Sequence, residues 1–379
     1  MDFTYDDEQQ ALREAVRGLV GRSYADFENR RRTVADEPGY DEKLWTRLAE
    51  MGVLGLPFDE LYGGMGAGPV EVGIVAQELG RVVAPEPFLT SVVLAGGVVS
   101  LAGTEEQKAS ILEGVASGDT VLAFAHAEPG TRWTPTAAAV TATAAGDGWT
   151  LAGVKEPVPH GARADLLVVS ALLPSGETGL FLVQADAPGL TRTGYATFDG
   201  GRAARVALDG TPATPLGSGH ATAQIARALD AARIAACAEA VGAMEVALTA
   251  TSEYLKSRKQ FGVPLSTFQA LTFRAADMYV SLELARSVTL WATMVLDSGS
   301  DTDVAEAAAR AGLQVSRAGR HIGQEAIQLH GGIGMTAEYA VGHMTSRLTV
   351  IDHLLGDGRE QTTHLLTTLT DHDVVEPVG

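Results

Sequence analysis

Two stretches of this sequence carry the groups that a diphosphate binds. Arg258-Lys259-Gln260-Phe261-Gly262 ends a long alanine-rich segment with cations and an amide, and Gln328-Leu329-His330-Gly331-Gly332-Ile333-Gly334 is a glycine-dense turn. Guanidinium and amide groups and bare backbone N–H donors are what phosphate oxygens accept from. Taken singly, the first reads equally well as a helix end with a solvated arginine beside Gly262, and the second as an ordinary loop. A third feature, Asp230-Ala231-Ala232-Arg233, puts an acid and a base at i and i+3 on one helix face, the spacing of a plain surface ion pair. His330 beside the glycines reads as a packing or hydrogen-bonding residue. The lone cysteine, Cys237, sits in an apolar helical context and reads as a buried, inert thiol.

Periodicity supplies the frame that must position these groups. Residues 1–118 read as an α-helical domain, with apolar helical runs over 3–20, 40–51, 70–82, 88–101 and 104–115. The last opens Thr104-Glu105-Glu106-Gln107, an N-terminal signature with early acids. Residues 119–219 change period and read as a small β domain, a barrel or sandwich. Its strands are expected at 121–125, at 139–143 and 149–152 around Gly146-Asp147-Gly148, and at 166–170, 179–183 and 204–208. Residues 220–379 are helical again, over 221–260, 268–298, 305–329 and 343–370. The first would span up to about 60 Å, with a break expected near Gly242. Four long helices imply a bundle, so the fold class is multidomain α+β.

Composition bounds the function. The net charge of −19 argues against nucleic acid or an anionic membrane as partner. One cysteine excludes an intrachain disulfide and a cysteine-rich metal site, and no metal ligand set is read elsewhere. The acidic start, Met-Asp-Phe-Thr-Tyr-Asp-Asp-Glu, is not a signal peptide. No run of about 18 apolar residues stands out as a membrane span. A cytoplasmic protein is expected.

The two glycine- and arginine-bearing motifs, in helices of a C-terminal bundle behind a β domain, resemble the acyl-CoA dehydrogenase family, and the resemblance extends over nearly the whole chain. Ser257 to Gly262, then Phe268-Gln269 and Ala276-Asp277-Met278, is similar to the family's "RxxFG…FQ…ADM" block; Gln328 to Gly332 resembles its "QxxGG" turn. The resemblance implies FAD as cofactor. Arg258 and Gln260 would hold the diphosphate of a neighbouring subunit's FAD, Phe261 would lie against it, and Gln269 would bind near the adenosine end. Gln328, Gly331 and Gly332 would contact it from across the subunit boundary. Asp230 and Arg233 resemble the family's "DxxR" segment near the acyl-CoA thioester pocket.

The departures from the family are as informative. Family chemistry removes an α-proton with a glutamate, from one of two places. Counted from Gly332, one place is Leu355, followed by Gly356; the other is Ala232 before Arg233. Neither accepts a proton, so no catalytic residue is assigned, with Asp357 the weak substitute. Of the first flavin loop, "TEPGAGSD", only Glu128-Pro129-Gly130 survives, in Ala127 to Trp133. In the second, "KxWITNG", Pro157 and Pro159 of Lys155 to Gly161 replace the tryptophan and threonine, and proline has no N–H to donate. The chain thus resembles the base-less partner in heteromeric (α2β2) members such as pimeloyl-CoA and actinobacterial steroid side-chain dehydrogenases. That implies a homologous, glutamate-bearing partner, an acyl-CoA substrate and an electron-transfer flavoprotein. The alternatives are a self-sufficient homo-oligomer using Asp357 and a non-redox acyl-CoA-binding scaffold.

Overall fold

The computed structural model describes residues 5–24, 26–131, 133–146 and 148–369. Phe3 at the start of the first predicted helix, Arg132, Asp147 of the predicted turn and Thr370 lie outside them. The first region comprises α1 (Asp7–Ser23), α2 (Phe27–Ala35), α3 (Glu42–Glu50) and α4 (Pro69–Arg81). A π-helical stretch, Phe88–Gly96, then runs into α5 (Gly97–Ala102), and α6 (Glu105–Ala116) follows. The Thr104 signature forms a full capping box with Gln107, and Asp6 with Gln9 forms another. Helix α2 was not anticipated, because its sequence FENRRRTVA has too few apolar residues to show a period.

The middle region contains β1 (Leu122–Ala125), β2 (Thr141–Ala145), β3 (Gly148–Pro159), β4 (Leu166–Leu172), β5 (Thr178–Gln184), β6 (Leu190–Ala196) and β7 (Arg202–Pro215). The order is β1-β4-β2-β3-β7-β5, and β5 pairs β4 as well as β7, so the sheet curls back on itself. β2 and β3 form the expected hairpin, Thr141 opposite Ala152. β6, mostly exposed and with few apolar residues, lacks the alternation that marks a half-buried strand, and its pairing with β7 defines it. Inward residues such as Val140, Leu151, Leu167, Phe181 and Val206 form a core of their own.

The last region begins with α7 (Thr222–Ser257), followed by a two-rung hairpin, β8 (Lys259–Gln260) and β9 (Val263–Pro264). Then come α8 (Gln269–Ser298), α9 (Asp301–His330), α10 (Ala340–Leu354) and α11 (Gly358–Thr367). Two expectations need correction. α7 does not break at Gly242. That glycine exists for close approach instead: a Cβ there would stand 2.0 Å from the Gln77 carbonyl oxygen of α4. The predicted helix over 343–370 is two helices, parted at Leu355-Gly356-Asp357, where Gly356 takes φ +113, a conformation that an L-residue avoids.

α7 is long and apolar enough to cross a membrane by length and composition, but 78% of its apolar window is buried inside the protein. An all-round apolar helix is what the centre of a bundle requires. One continuous core joins α7 to the first region, including Leu44, Phe88, Leu112, Ile225 and Ile322. Two consequences matter for function. The C-terminal ends of α7 and α9 lie together, and the end of β3 faces the end of α10.

Candidate functional site

Three rings hold the two diphosphate-type motifs together. Tyr254, in the last turn of α7, lies 4.5 Å from the His330 ring at the end of α9, and His330 lies 4.9 Å from Tyr339. His330 is buried, and its Nδ1 hydrogen-bonds the Ala326 carbonyl at 2.7 Å. It is a packing residue that rivets Arg258, four positions past Tyr254, to Gly331. Gly331 takes φ 67, ψ −144, a region open only to glycine. A Cβ on Gly331 or Gly332 would meet nothing within 4 Å, so this backbone is bare to solvent.

The β8–β9 hairpin turns on Phe261 (φ 54) and Gly262 (φ 82), the pair of positive φ values that a two-residue hairpin loop of right-handed twist demands. That geometry thrusts Phe261 outward. It is 92% exposed, edge-on to Phe268 at 6.2 Å. Arg258 and Lys259 are exposed, and neither forms an ion pair among the described residues. The Gln260 amide donates to the Lys259 carbonyl at 2.8 Å, and Gln269 and Gln328 stand exposed at their helix ends. Cations, amides and open backbone therefore stand exposed at the end of the bundle where α7 and α9 meet. Their donors are of the kind that a diphosphate accepts from. Next to these residues, α8 leaves Phe273, Tyr279, Val280 and Leu284 more than half exposed; three of them lie on one helix face, an apolar stripe that calls for cover.

The other half of the expected site is the cleft between the β domain and the bundle. Two cavities, of about 260 and 340 Å³, meet at Pro157, Pro159, His353 and Leu354. Leu355 borders the larger one and packs into the core. Its carbonyl accepts a 2.9 Å hydrogen bond from Arg233 Nε. Ala232 is fully buried. Both glutamate positions are thus hydrocarbon in a packed setting. Asp357 caps α11, accepting from the amides of Arg359 at 3.0 Å and Glu360 at 2.9 Å, and it borders a different cavity. Asp230 pairs with Arg233, and burial raises its pKa despite that partner. Of the two, Arg233 borders the cleft and Asp230 does not.

Glu128 and Lys155, from the two loops that resemble the family's flavin loops, are engaged with each other and with the backbone of the β domain. Glu128 accepts from the amides of Ala138, Ala139 and Val140 and from Lys155 Nζ at 2.7 Å, and Lys155 also donates to the His126 carbonyl and Ser170 Oγ at 3.0 Å each. Burial opposes the Glu128 charge, but Lys155 and the amides outweigh it and hold its pKa below the ordinary value. Burial pushes Lys155 down to about 8. His126, stacked on Phe124 at 5.0 Å, is pushed down to about 4 by burial and by Lys155. Pro157 sits in a bulge where the β3–β7 register slips between Lys155 and Val158, the place a central strand tolerates proline. Trp133 reaches from the first loop to the bundle, its Nε1 donating to the His353 carbonyl at 3.1 Å. Pro157 and Pro159 line the cleft with Trp133, Thr131, Thr134 and Thr136, and neither proline itself offers an aromatic face or a hydroxyl.

Sequence reasoning missed a buried charge set around the smaller cavity. Arg347 of α10 pairs with Glu239 of α7 at 2.6 Å and with Asp199 of the β6–β7 loop at 2.8 Å, and Arg30 of α2 donates to the Asp199 carbonyl at 2.9 Å. These partners lie too far apart in the chain for any spacing rule. Glu86 left one local signal, an acid between two prolines in an apolar run. It is 6% exposed and accepts from Tyr24 Oη at 2.5 Å, and burial pushes its pKa up to about 7.

Comparison with known proteins gives a consistent picture. The family model "Acyl-CoA dehydrogenase, N-terminal domain" matches residues 6–119, and "Acyl-CoA dehydrogenase, C-terminal domain" matches residues 219–363. The chain is 30% identical over 384 residues to the probable acyl-CoA dehydrogenase YngJ of Bacillus subtilis, covering 97% of this chain and 98% of that protein. Among solved structures, it is similar to a variant of the Tcur3481-Tcur3483 steroid ACAD, with 34% identity, TM-score 0.88, and 96% and 98% of the two chains covered. It is also similar to a chain of the ChsE4-ChsE5 complex from Mycobacterium tuberculosis, with 28% identity, TM-score 0.88, and 99% and 100% covered.

Proposed function

Because this chain belongs to the acyl-CoA dehydrogenase family, whose members are flavin-dependent oxidoreductases acting on CH–CH bonds, we propose that it is the accessory, FAD-binding subunit of a heteromeric α2β2 acyl-CoA dehydrogenase. One observation carries the reading, a mismatch within a single chain. Leu355 and Ala232 offer hydrocarbon where a base belongs, and Pro157 and Pro159 stand where the flavin ring needs other groups, while at the far end of α7 the exposed Arg258 forms no ion pair among the described residues. FAD, when bound, supplies the acceptor for the hydride that leaves Cβ of the acyl thioester. Arg258 and Gln260 hold its diphosphate for the neighbouring subunit, Phe261 covers it, and Gln269 takes the adenosine end. Gln328, Gly331 and Gly332 let it approach bare backbone. Arg233, with Asp230 behind it, faces the thioester side of the cleft.

A homologous partner brings the carboxylate that takes the α-proton, an electron-transfer flavoprotein removes the electrons, and the complex works in the cytoplasm. Support comes from the exposed stripe on α8 and from the two-component names of the structural neighbours. A self-sufficient enzyme using Asp357 gains no support, since that carboxylate is committed to the α11 cap. A non-redox scaffold instead predicts that the co-expressed pair stays inactive. The test is partner dependence. Expressed alone, the chain is expected to show no acyl-CoA oxidation with a ferrocenium acceptor, and co-expression with a glutamate-bearing homologue is expected to restore it with one FAD per heterodimer. Robust turnover by the lone chain sinks the proposal.

A further inference from the structure

A third cavity, of about 220 Å³, lies apart from the cleft, where Tyr5 and α1 meet α4, α7 and α8. Its apolar wall is Val70, Ala238, Val241 and Leu290. Its polar side belongs to a chain of ion pairs. Glu78 holds Arg13 at 3.0 Å, Arg17 at 2.8 Å and Arg81 at 3.5 Å. Glu245 holds Arg81 at 2.6 Å and Arg286 at 3.6 Å, and Glu283 holds Arg286 at 2.8 Å. Four guanidiniums thus share three carboxylates, which leaves one positive charge over. Of these carboxylates only Glu245 borders the cavity, and both its oxygens are engaged, Oε1 by Arg81 and Oε2 by the Gln77 amide at 3.3 Å. Burial opposes the Glu245 charge, but Arg81 and the other arginines outweigh it and hold its pKa below the ordinary value.

Three donors on this cavity have capacity to spare. Arg13 spends only Nε, on Glu78. Arg286 Nη2 stands beyond hydrogen-bond reach of Glu245. The Tyr5 hydroxyl makes no hydrogen bond among the described residues, and Arg13 lies 5.7 Å over its ring. Burial raises the Tyr5 pKa while Arg13 and Arg286 both pull it down, so the two guanidiniums flank the phenol. All three side chains are partly exposed, which opens them to a solute.

We propose that this cavity binds a small monocarboxylate, its oxygens on Arg13, Arg286 and Tyr5 and its hydrocarbon against Val70, Val241 and Leu290. Guanidinium and phenol donors make charge-assisted hydrogen bonds to a carboxylate, and the single surplus charge matches one anion. The bound carboxylate ties Tyr5 and α1 to α8. Binding here needs neither flavin nor a partner subunit, so it goes beyond the accessory-subunit reading and stands or falls separately from it.

The experiment is isothermal titration of the full chain with benzoate and with benzamide, its uncharged isostere. One benzoate is expected per chain, with benzamide at least about tenfold weaker. Tyr5→Phe removes a hydroxyl that the fold does not use, so it is expected to melt like wild type and to bind benzoate about tenfold more weakly. Gly73→Leu is expected to abolish binding, since a Cβ at Gly73 meets nothing closer than 3.9 Å and the added side chain enters the cavity. Absence of saturable benzoate uptake by the wild-type chain overturns the proposal, as does equal affinity for benzamide. So does benzoate binding that survives either Tyr5→Phe undiminished or Gly73→Leu.

Discussion

Arg258→Ala probes the proposed trans contact most directly. The side chain is exposed at the end of α7, with no ion pair among the described residues, and only its backbone is used, the amide donating to Tyr254 at 2.8 Å and the carbonyl accepting from Leu265 at 2.8 Å. Removing it therefore costs folding almost nothing. Whatever is lost is lost from binding. A charge-assisted hydrogen bond to a phosphate is worth roughly 1.5–3 kcal/mol, and each ~1.4 kcal/mol is tenfold in affinity. FAD affinity of the assembled complex is thus expected to fall by about ten- to a hundredfold, with melting of the isolated chain unchanged. The assay is flavin fluorescence on titrating apo-complex with FAD. Lys256→Ala is the control, because Lys256 is spent on Glu253 at 2.8 Å, and it should leave affinity unaltered. If Arg258→Ala binds FAD as tightly as wild type, this end of the bundle is not a cofactor site and the cofactor-sharing argument loses its positive half.

Three further outcomes are expected. Leu355→Glu restores a carboxylate at the family position but leaves Pro157 and Pro159 in place, so the variant chain alone should stay inactive in the ferrocenium assay; turnover would mean that the prolines do not spoil the flavin pocket. Gly242→Ala forces a Cβ to within 2.0 Å of the Gln77 carbonyl oxygen, backbone that cannot swing aside, and should cost about 1–3 kcal/mol or more in urea unfolding; an unchanged midpoint would show that α4 and α7 are not held this close. Glu86 titrates near 7 when folded against an ordinary 4.5, so the folded state holds the proton that the unfolded state releases between these values. Its contribution is full below 4.5 and is lost as pH rises through 7, by roughly 3 kcal/mol at about 1.4 kcal/mol per unit. Glu86→Gln has no such loss, so its stability relative to wild type should rise from pH 5 to pH 8, and parallel pH profiles would refute the assignment.

Much of this protein is legible in one dimension because the signals are local. A 3.6-residue apolar period marks α3, α4 and α9, Thr104 with Gln107 writes its own capping box, and the Trp149 hairpin announces itself through alternation and a glycine turn. The missing base is likewise local, a matter of Leu355 and Ala232 not being acids. α2 and β6 escaped because they are held by partners rather than by a hydrophobic period. Only the tertiary structure decided the rest. It joined Tyr254 to His330, turning two weak motifs some seventy residues apart into one surface. It committed Asp357 to a helix cap, gave Lys155 and Glu128 to each other, and let α7 run through Gly242, since a glycine breaks a helix in solvent but admits a neighbouring helix in a core. The charge set of Arg30, Asp199, Glu239 and Arg347 had no signature at all. Burial decides which charges must pair and which carboxyl keeps its proton, and burial is a property of packed neighbours that no spacing along the chain records.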